Sequence, residues 1–431
     1  SKGNYDIYVV FVEQGLGLLS KAGRLGFILP HKFFNSKYGE SVRDIISNGN
    51  HLSKVVHFGD EQVFNCATTY TCLLFLDGNS CDSMEFSKVT DIKSWETTKE
   101  SETGMIPSNK IGKSEWNFVI GKGAALFDKL NEMPVKLGDV ASRIFQGLIT
   151  GADKVFILSL IDETKRTYNL FSKALGEEIE IEKHITKKLA KGDDISRYSY
   201  KTKNVIIFPY ARCENSVNLL SESTLMNDYP NCWEYFKKCE TLLKNREGGK
   251  WNIPEWWQYG RNQNIFEMTQ EKIVLQVMSK YGAYSLDETA NVCIVGGGNA
   301  GGYGISVKQG EFDQKYLLGL LNSKLLNWYI RQISTQFRGG YYSYARRFIE
   351  HLPIYSDIES NGNTIRHKTD LTQLVNSILQ LNKSLSTATL PEDKKSLKRL
   401  IDKTDRDIDN LVYELYGLSD KEIQIIEDSM E

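Results

Sequence analysis

Several residue types that would indicate a metal site or a disulfide-linked fold are scarce in this sequence. Its 431 residues include 7 Cys, 6 His and 8 Pro. The cysteines form no C-x-x-C pair, and the nearest ones, Cys66 with Cys72 and Cys232 with Cys239, lack the spacing of zinc ligands. We therefore expect no metal. Free thiols are typical of a reducing compartment, so a cytoplasmic location is predicted.

Long apolar runs, excess charge and familiar catalytic motifs are also missing. No apolar run is long enough to span a bilayer, and the opening SKGNYDIYVV lacks a signal-peptide core, so no membrane association is expected. A net charge of −2 excludes a uniformly basic surface, so any nucleic-acid binding needs a local patch. The sequence contains no H-E-x-x-H, no G-x-S-x-G and no P-loop.

The first 77 residues have the pattern of an α/β fold. Residues 5–19 indicate a helix, and RLGFILP (24–30) predicts a strand buried on both faces. An amphipathic helix over 38–47 and the strands LSKVVHFG and TTYTCLLFL follow. This order is typical of the last part of a doubly wound sheet closed by an antiparallel strand. Such a sheet needs earlier strands, so we expect a preceding segment or a partner to supply them.

The remainder of the chain changes character twice. Short strands such as KVFIL and KIVLQVM, separated by long loops, predict an irregular α+β region, and the sequence turns helical from residue 366. Pro391 is predicted to begin a second helix that Gly417 ends, and Ser419 with Glu422 forms a capping-box pattern for a last one. The predicted parts are an N-terminal α/β part (1–83), a connector (84–135), a mixed α+β domain (136–355) and a helical tail (356–431).

The stretch GGGNAG (296–301) fits the G-x-G-x-x-G pattern of dinucleotide sites and follows the strand-like NVCIV. A dinucleotide site also needs a helix directly after the glycines, because the helix N-terminus binds the phosphates. GYGISV follows instead, which indicates a loop and a strand. A flexible or closely approached backbone in a β-rich domain is the favoured interpretation.

Two basic stretches are candidates for nucleic-acid contact. Residues 183–203 are rich in Lys and contain only two acidic residues, although a solvated face explains such a run equally well. Residues 328–348 are more specific, with four Arg, four Tyr, a Trp and two Phe and no acidic residue. Arginine can pair with phosphate or guanine, and tyrosine can stack on bases.

A third candidate is WWQYGRNQN (256–264), in which the two tryptophans suit a core as well as a surface. The charge and aromatic pattern of the three stretches predicts a DNA-binding set comprising Lys187, Lys188, Arg197, Arg261, Asn262, Arg338, Tyr341, Tyr342, Arg346 and Arg347.

The chain resembles amino-type DNA adenine methyltransferases of the γ-class, TaqI-like group and the related type IIG restriction–modification proteins. The likeness rests on KGNYDIYVVFVEQGLGLLSKAGRLGFILPHKFF followed by VVHFGDEQVFNCATTYTCLLFL. FQGLITGADKVFIL resembles the opening of the group's target-recognition domain, and RGGYYSYARRFIEHLPI resembles its close. IDNLVYELYGLSDKEI is similar to the tail of the type IIG proteins.

The resemblance implies a fold of two parts and a tail. Residues 1–83 would be the C-terminal part of a Rossmann-like methyltransferase sheet, 136–355 a mixed target-recognition domain, and 356–431 a helical tail. It implies transfer of a methyl group from S-adenosylmethionine to N6 of an adenine that is flipped out of duplex DNA. The Gly-rich cofactor loop and the Asn-Pro-Pro-Tyr loop of the family do not occur here. We therefore expect a C-terminal fragment that recognises DNA, lacks the N-terminal half of the catalytic domain and does not complete methyl transfer alone.

Two aromatic residues acquire roles from the resemblance. Phe64 lies in a polar turn, where small residues are usual, and matches the aromatic that stacks on the flipped adenine. Phe11 matches an aromatic beside the cofactor pocket. Capping of the local core by Phe64 and core packing of Phe11 are the alternatives.

Two other functions remain open from the residues. One is a non-enzymatic DNA-specificity module that works with a separate catalytic subunit. The other is an RNA methyltransferase, because methylation of an exocyclic amine is common to both substrates.

Overall fold

A computed structural model of the chain describes residues 5–64, 69–297, 301–308, 310, 312–356 and 362–430. Its contacts divide the chain into two compact units. Unit 1 comprises residues 1–132, 331–341 and 420–431, and unit 2 comprises residues 133–330 and 342–419. None of the helices in the described ranges is both long and apolar enough to span a membrane.

The helices include long ones near the C-terminus and several single turns, of which α9 is kinked at left-handed residues. Their bounds are α1 Tyr8–Gly17, α2 Glu40–Asn48, α3 Ile92–Thr98, α4 Ala124–Asn131, α5 Leu137–Val140, α6 Asp153–Phe156, α7 Glu222–Asp228, α8 Pro230–Lys244, α9 Arg246–Gly249, α10 Gln314–Asn322, α11 Lys324–Ile333, α12 Arg346–Ile349, α13 Gly362–Thr387, α14 Pro391–Leu415 and α15 Asp420–Asp428.

The strands are short and most of them lie in unit 2. Their bounds are β1 Arg24–Pro30, β2 Leu52–His57, β3 Thr71–Asp77, β4 Ser83–Lys88, β5 Glu102–Pro107, β6 Ala141–Gln146, β7 Ile157–Glu163, β8 Thr167–Ser172, β9 Glu177–Glu182, β10 Thr186–Ala190, β11 Ile195–Ser196, β12 Ser199–Tyr200, β13 Asn204–Ile207, β14 Tyr210–Arg212, β15 Val217–Leu219, β16 Lys272–Gln276, β17 Met278–Ser279, β18 Tyr284–Asp287, β19 Val292–Ile294, β20 Gly302–Val307, β21 Gln336–Phe337 and β22 Tyr341–Ser343.

Unit 1 is built on a sheet with the strand order β1-β3-β2-β4-β5. The strand β3 runs antiparallel to both β1 and β2, and β2 runs parallel to β4. It follows that β1, β2 and β4 point in one direction and that their carboxyl ends lie at the same edge of the sheet. The expected α/β order with an antiparallel closing strand is therefore present, and β4 and β5, from the segment expected to be a connector, extend the same sheet.

The strand β1 differs from its sequence-based interpretation. A continuous apolar run predicts burial on both faces, whereas the side chains of β1 alternate and Ile28 is 45% exposed. The reason is position, because β1 is the outermost strand and pairs only with β3 in the described part of the sheet. The helix α1 packs against it so closely that a Cβ atom at Gly15 would lie 2.9 Å from Leu25.

Unit 2 contains a six-stranded sheet, β19-β10-β13-β7-β8-β9, and a four-stranded sheet, β18-β16-β20-β6. The helix α8 buries Cys232, Phe236 and Cys239, which recur at helical spacing along one face. Trp256 and Trp257 are buried in this core, so the two tryptophans are structural. Together with unit 1, these sheets confirm a mixed α/β protein.

The G-x-G-x-x-G stretch lies partly within the described residues, since 298–300 fall outside them. The strand β20 follows it, as expected, and no helix begins at those glycines of the stretch that the structure describes. A Cβ atom at Gly296 would lie 2.3 Å from the carbonyl oxygen of Gly147, so the two backbones approach too closely for a side chain. The closely approached backbone predicted from the sequence is confirmed there.

The helical tail forms a hairpin of α13 and α14, with Pro391 at the first turn of α14 and Gly417 just past its end at a φ of +57°. Buried residues at helical spacing, Leu371 and Val375, pack on α10 across Gly319. A Cβ atom at Gly319 would lie 2.9 Å from Val375, so glycine permits close helix packing.

Candidate nucleic-acid interface

The carboxyl edge of the unit 1 sheet carries a small aromatic cavity. His31 follows β1, and His57 ends β2. Their rings stack with centroids 4.3 Å apart. The cavity has a volume of about 130 Å³, and Phe34, Trp116 and other aromatic rings line it. Ligands of open α/β sheets bind at the carboxyl ends of parallel strands, so this edge is where a site is expected.

Both histidines are neutral near pH 7. Burial lowers the pKa of His31 to about 4, and burial also holds the pKa of His57 well below its usual range, with the neighbouring His31 as an additional cause. The Nδ1 atom of His57 accepts a hydrogen bond from the backbone N–H of Gly59 at 3.1 Å. The buried Nδ1 atom of His31 has no hydrogen-bond partner in the described part of the chain. The sequence did not predict this stacking, because His31 and His57 are single histidines at the ends of two separate strands.

Phe64 lies in the loop that joins the carboxyl end of β2 to the start of β3, and so at the same edge. Its side chain is 48% exposed. The preceding Val63 packs on a small core cluster of which Phe64 is not a member. Capping of the local core therefore does not account for Phe64. Residues 65–68, which follow it, lie outside the described residues.

Phe11 lies on the outer face of α1 and is 59% exposed, whereas Val9 and Val12 of the same helix are buried. Core packing does not account for this residue either. A planar exposed ring suits stacking on the adenine of S-adenosylmethionine. The role that the resemblance gives to Phe11 at the cofactor stays a prediction.

No group of three or more His, Cys, Asp or Glu side chains with the geometry of a metal site occurs in the described ranges.

Within unit 1, Arg338 and Tyr341 flank a sharp turn. Gly339 and Gly340 adopt φ angles of +87° and +78°, in the left-handed region that favours glycine. The backbone N–H of Arg338 donates a hydrogen bond to the Tyr70 hydroxyl at 3.2 Å. The side chains of Arg338 and Tyr341 are exposed on this anchored turn.

Within unit 2, Arg346 and Arg347 begin α12 and are exposed. Arg346 pairs with Glu350 at 3.1 Å, and the guanidinium of Arg347 lies 4.6 Å from the ring centroid of Phe348. Tyr342 is half-buried and lies opposite Ser279 in the β17–β22 pair. An exposed ion pair contributes little to stability, so Arg346 can exchange its partner at small cost.

Other predicted DNA-binding residues have protein partners. Arg197 forms an ion pair with Asp405 of α14 at 2.7 Å and donates a hydrogen bond to the carbonyl of Asn322. Arg261 pairs with Glu247 at 2.8 Å, and the adjacent Asn262 is exposed. The charge pattern could not show these partners, because they are distant in sequence. Arg197 is a structural residue in this fold.

Lys187 and Lys188 lie on β10 of unit 2. The Nζ atom of Lys187 donates a hydrogen bond to the carbonyl of Ala290 at 3.0 Å, inside a concave region, whereas Lys188 is exposed. Both residues line the same pocket.

Comparison with known proteins matches two parts of the chain to protein families. Residues 1–64 match the Eco57I restriction-modification methylase family, and residues 187–354 match the TaqI-like C-terminal specificity domain. The type II restriction enzyme and methyltransferase RM.Eco57I of Escherichia coli is 27% identical over 98% of this chain and 44% of its own length. The type II methyltransferase M.BstVI of Geobacillus stearothermophilus is 22% identical over 99% of this chain and 70% of its own length.

A solved structure, that of the type IIL restriction-modification enzyme MmeI in complex with DNA, shares the fold with a TM-score of 0.57 and 12% identity. The match covers 97% of this chain and 51% of that one. The chain thus spans about half the length of that structure and 44% of the E. coli relative. The predicted resemblance is confirmed: the chain is similar to type II restriction–modification methyltransferases, with one match to a methylase family and another to the TaqI-like specificity domain.

Proposed function

We propose that this chain is part of a site-specific DNA methyltransferase of a restriction–modification system, of the type IIG arrangement. The reaction is transfer of a methyl group from S-adenosylmethionine to N6 of adenine in duplex DNA. Recognition of the target and stacking on the flipped base are the contributions of this chain. The sheet of unit 1 would then be the C-terminal part of a Rossmann-like methyltransferase sheet.

The exposure of Phe64 carries this proposal. Full burial of a Phe side chain is worth roughly 1.5–3 kcal/mol, and Phe64, at 48% exposure, forgoes about half of that in a polar loop. An extruded base loses the stacking that it had in the duplex, and an aromatic side chain can replace it. The loop lies at the carboxyl edge of β1, β2 and β4, where a substrate base is expected.

The proposed DNA contacts come from both units and are taken separately. In unit 1, Arg338 and Tyr341 present a guanidinium and a ring from an anchored turn. In unit 2, Arg346 and Arg347 are exposed, and Asn262 offers an amide that suits adenine. Lys187, Lys188, Tyr342 and Arg261 stay in the proposed set, and Arg261 must exchange Glu247 for DNA.

S-adenosylmethionine supplies the methyl group when it is bound. From this chain, Phe11 would stack on its adenine, and Phe64 would hold the acceptor base in place. In the described part of the chain the outer edge of β1 has no strand partner, and Ile7, Phe11 and Ile28 of the same unit each have an exposed side chain. We propose that the N-terminal half of the catalytic domain pairs there, because an unpaired edge strand is otherwise prone to aggregation.

The test is a competition binding assay with this chain, mixed-sequence duplex DNA and single-stranded RNA of the same length. Tighter binding of the duplex is expected. Tighter binding of the RNA would support an RNA methyltransferase instead.

A second measurement follows the transfer of labelled methyl groups from S-adenosylmethionine to DNA. Transfer to adenine N6 is expected only when the N-terminal half of the catalytic domain is added. Robust transfer by this chain alone would contradict the division of roles, and no transfer after the addition would favour a separate specificity module.

A further inference from the structure

Unit 2 contains a polar pocket in which Lys187 and Lys188 lie together with residues that have no proposed role. Its volume is about 520 Å³, within the range of small-molecule sites. The strand β10 forms one wall, and the other walls are the start of β8, the segment from Phe208 to Arg212 and the loop before β19. We call it the basic pocket.

The charge of the basic pocket has one sign. Four cationic residues line it, and no Asp or Glu is among its lining residues. These residues are Lys183, Lys187, Lys188 and Arg212, and the side chains of the strand neighbours Lys187 and Lys188 point to opposite faces of the sheet. Basic residues on a solvated face diverge into water, whereas these line a shared concavity, and like charges so placed repel one another unless an anion lies between them.

Lys187 and Arg212 donate hydrogen bonds to neutral carbonyl groups, and Lys187 also lies near an aromatic ring. Lys187 Nζ donates to the carbonyl of Ala290 at 3.0 Å and lies 5.2 Å from the ring centroid of Phe208. Arg212 Nη1 donates to the carbonyl of Thr269 at 3.0 Å. These bonds orient the groups without neutralising them, and a lysine ammonium with three N–H donors retains two.

The other two lysines, Lys183 and Lys188, differ in whether an acidic side chain neutralises their charge. Lys183 pairs with Glu163 at 2.6 Å and also lies 4.8 Å from the ring centroid of Tyr168. Lys188 is exposed and has no ion pair within the described ranges. The uncompensated charge of the pocket is therefore concentrated on Lys187, Lys188 and Arg212.

Burial lowers the pKa of Lys187, and the charges of the nearby Lys272 and Arg212 lower it as well. Cys293 and Asp287 raise it, but by less. A bound anion would reverse this shift, because an opposite charge favours the ammonium form.

We propose that the basic pocket binds a phosphate ester, whose oxygen atoms accept hydrogen bonds from Lys187 and Arg212. Phosphate is the anion that matches charge-assisted donors arranged around a small volume. A free nucleotide and a phosphate of the DNA backbone present the same chemistry. Binding of a DNA phosphate here would rest on the proposed function, which already places Lys187 at DNA, whereas binding of a free nucleotide would not.

The experiment uses the full chain at low ionic strength. Binding of ATP, AMP and inorganic phosphate is measured by titration calorimetry for the wild type and for Lys187→Ala, Arg212→Ala and the double variant. A charged hydrogen bond of typical strength corresponds to roughly tenfold in affinity, so each substitution should weaken binding about tenfold. Lys173→Ala with Lys201→Ala is the matched control, because these exposed lysines of unit 2 do not line the pocket.

A second readout does not depend on the substitutions. Acetylation of Lys187 in the wild type, followed by mass spectrometry, should be slowed several-fold by saturating ATP. Acetylation of Lys201 should not change. Equal acetylation of Lys187 with and without ATP would contradict binding of the nucleotide in this pocket.

A parallel titration with duplex DNA identifies the source of the phosphate. Weaker ATP binding by the double variant with unchanged DNA binding supports a nucleotide site. If the double variant binds DNA more weakly and the control does not, the pocket binds a phosphate of DNA, even if ATP does not bind. The salt dependence of DNA binding should then be lower by about one per cation removed. The proposal is overturned if the double variant binds every probe with the affinity of the wild type. It is also overturned if the control variant weakens binding as much as the double variant does.

Discussion

The Nζ atom of Lys272 lies 2.7 Å from Oδ2 of Asp287, and neither side chain is accessible to solvent. The two residues face each other on the paired strands β16 and β18. Asp287 also accepts hydrogen bonds from the N–H of Val292 at 3.0 Å and from the Thr289 hydroxyl at 2.8 Å. A buried carboxylate with this many donors stays ionised. Burial raises the pKa of Asp287, but Lys272 and the hydrogen bonds lower it by more, so the net effect is a lowered pKa.

Replacing Lys272 by Met should therefore destabilise the protein strongly. The substitution leaves the Asp287 carboxylate buried without its counter-ion, which costs about 3–5 kcal/mol in the free energy of unfolding. Urea unfolding followed by circular dichroism measures this. Lys54→Met, which breaks the surface pair of Lys54 with Glu85, is the control and should cost much less. Equal losses in the two variants would show that the Lys272–Asp287 pair is not special.

Protonation of the Asp409 carboxyl group should make the free energy of unfolding depend on pH. Its carboxylate accepts the N–H of Lys324 at 2.8 Å. Burial raises the pKa of Asp409 to about 6, despite the Lys324 N–H and the Arg197 charge. The folded state then binds more protons than the unfolded state between about pH 4 and 6, so stability falls as pH rises through that range, by at most ~3 kcal/mol from this group.

Asp409→Asn keeps an oxygen for the Lys324 N–H and removes the titration. Thermal unfolding between pH 4 and 7 should therefore show a smaller decrease in stability with pH than in the wild type. Asp402→Asn, an exposed residue of the same helix, should follow the wild type. An unchanged slope in Asp409→Asn would assign the pH dependence to other groups.

Phe64→Ala tests base stacking. With 2-aminopurine in place of the target adenine, extrusion raises the fluorescence, and an aromatic that stacks on the base quenches it. We expect Phe64→Ala to give brighter fluorescence in the complex and weaker DNA binding, by roughly 1–3 kcal/mol for the lost stacking.

Phe171→Ala removes another partly exposed Phe, in unit 2, and should leave the fluorescence unchanged. Identical fluorescence of the Phe64→Ala and wild-type complexes would remove Phe64 from the base site.

Arg338 and Arg346 can be assigned to a base or to a phosphate by substitution. If the arginine pairs with a base, its replacement by Ala should cost about 1–3 kcal/mol for the cognate site and relax specificity at that position. If it contacts only phosphate, binding should weaken for all sequences, and the salt dependence should fall.

The measurement is fluorescence anisotropy with cognate and mismatched duplexes at several salt concentrations. Arg399→Ala, on the exposed face of α14, is the charge-matched control. Wild-type affinity and wild-type salt dependence in both Arg338→Ala and Arg346→Ala would exclude residues 328–348 from the DNA surface.

Local patterns predicted the elements of unit 1 well. The helix over 38–47 and the strands before and after Phe64 are present as α2, β2 and β3, because periodic burial and turn residues are local properties. The stacked pair His31–His57 could not be predicted. It depends on β1 and β2, which are not neighbours but flank β3 in the sheet, so that their carboxyl ends lie at the same edge.

The sequence by itself determined the family likeness, the α/β class, the buried face of an amphipathic helix such as α2 and the basic composition of the stretches 183–203 and 328–348. Only the tertiary structure decided which charges are available to a ligand. Arg197 and Asp405 lie 208 positions apart and neutralise each other, whereas Lys187, Lys188 and Arg212 line one pocket without a carboxylate. The physical reason is that periodicity encodes the face of an element, whereas the partner of a charge depends on which distant elements pack together.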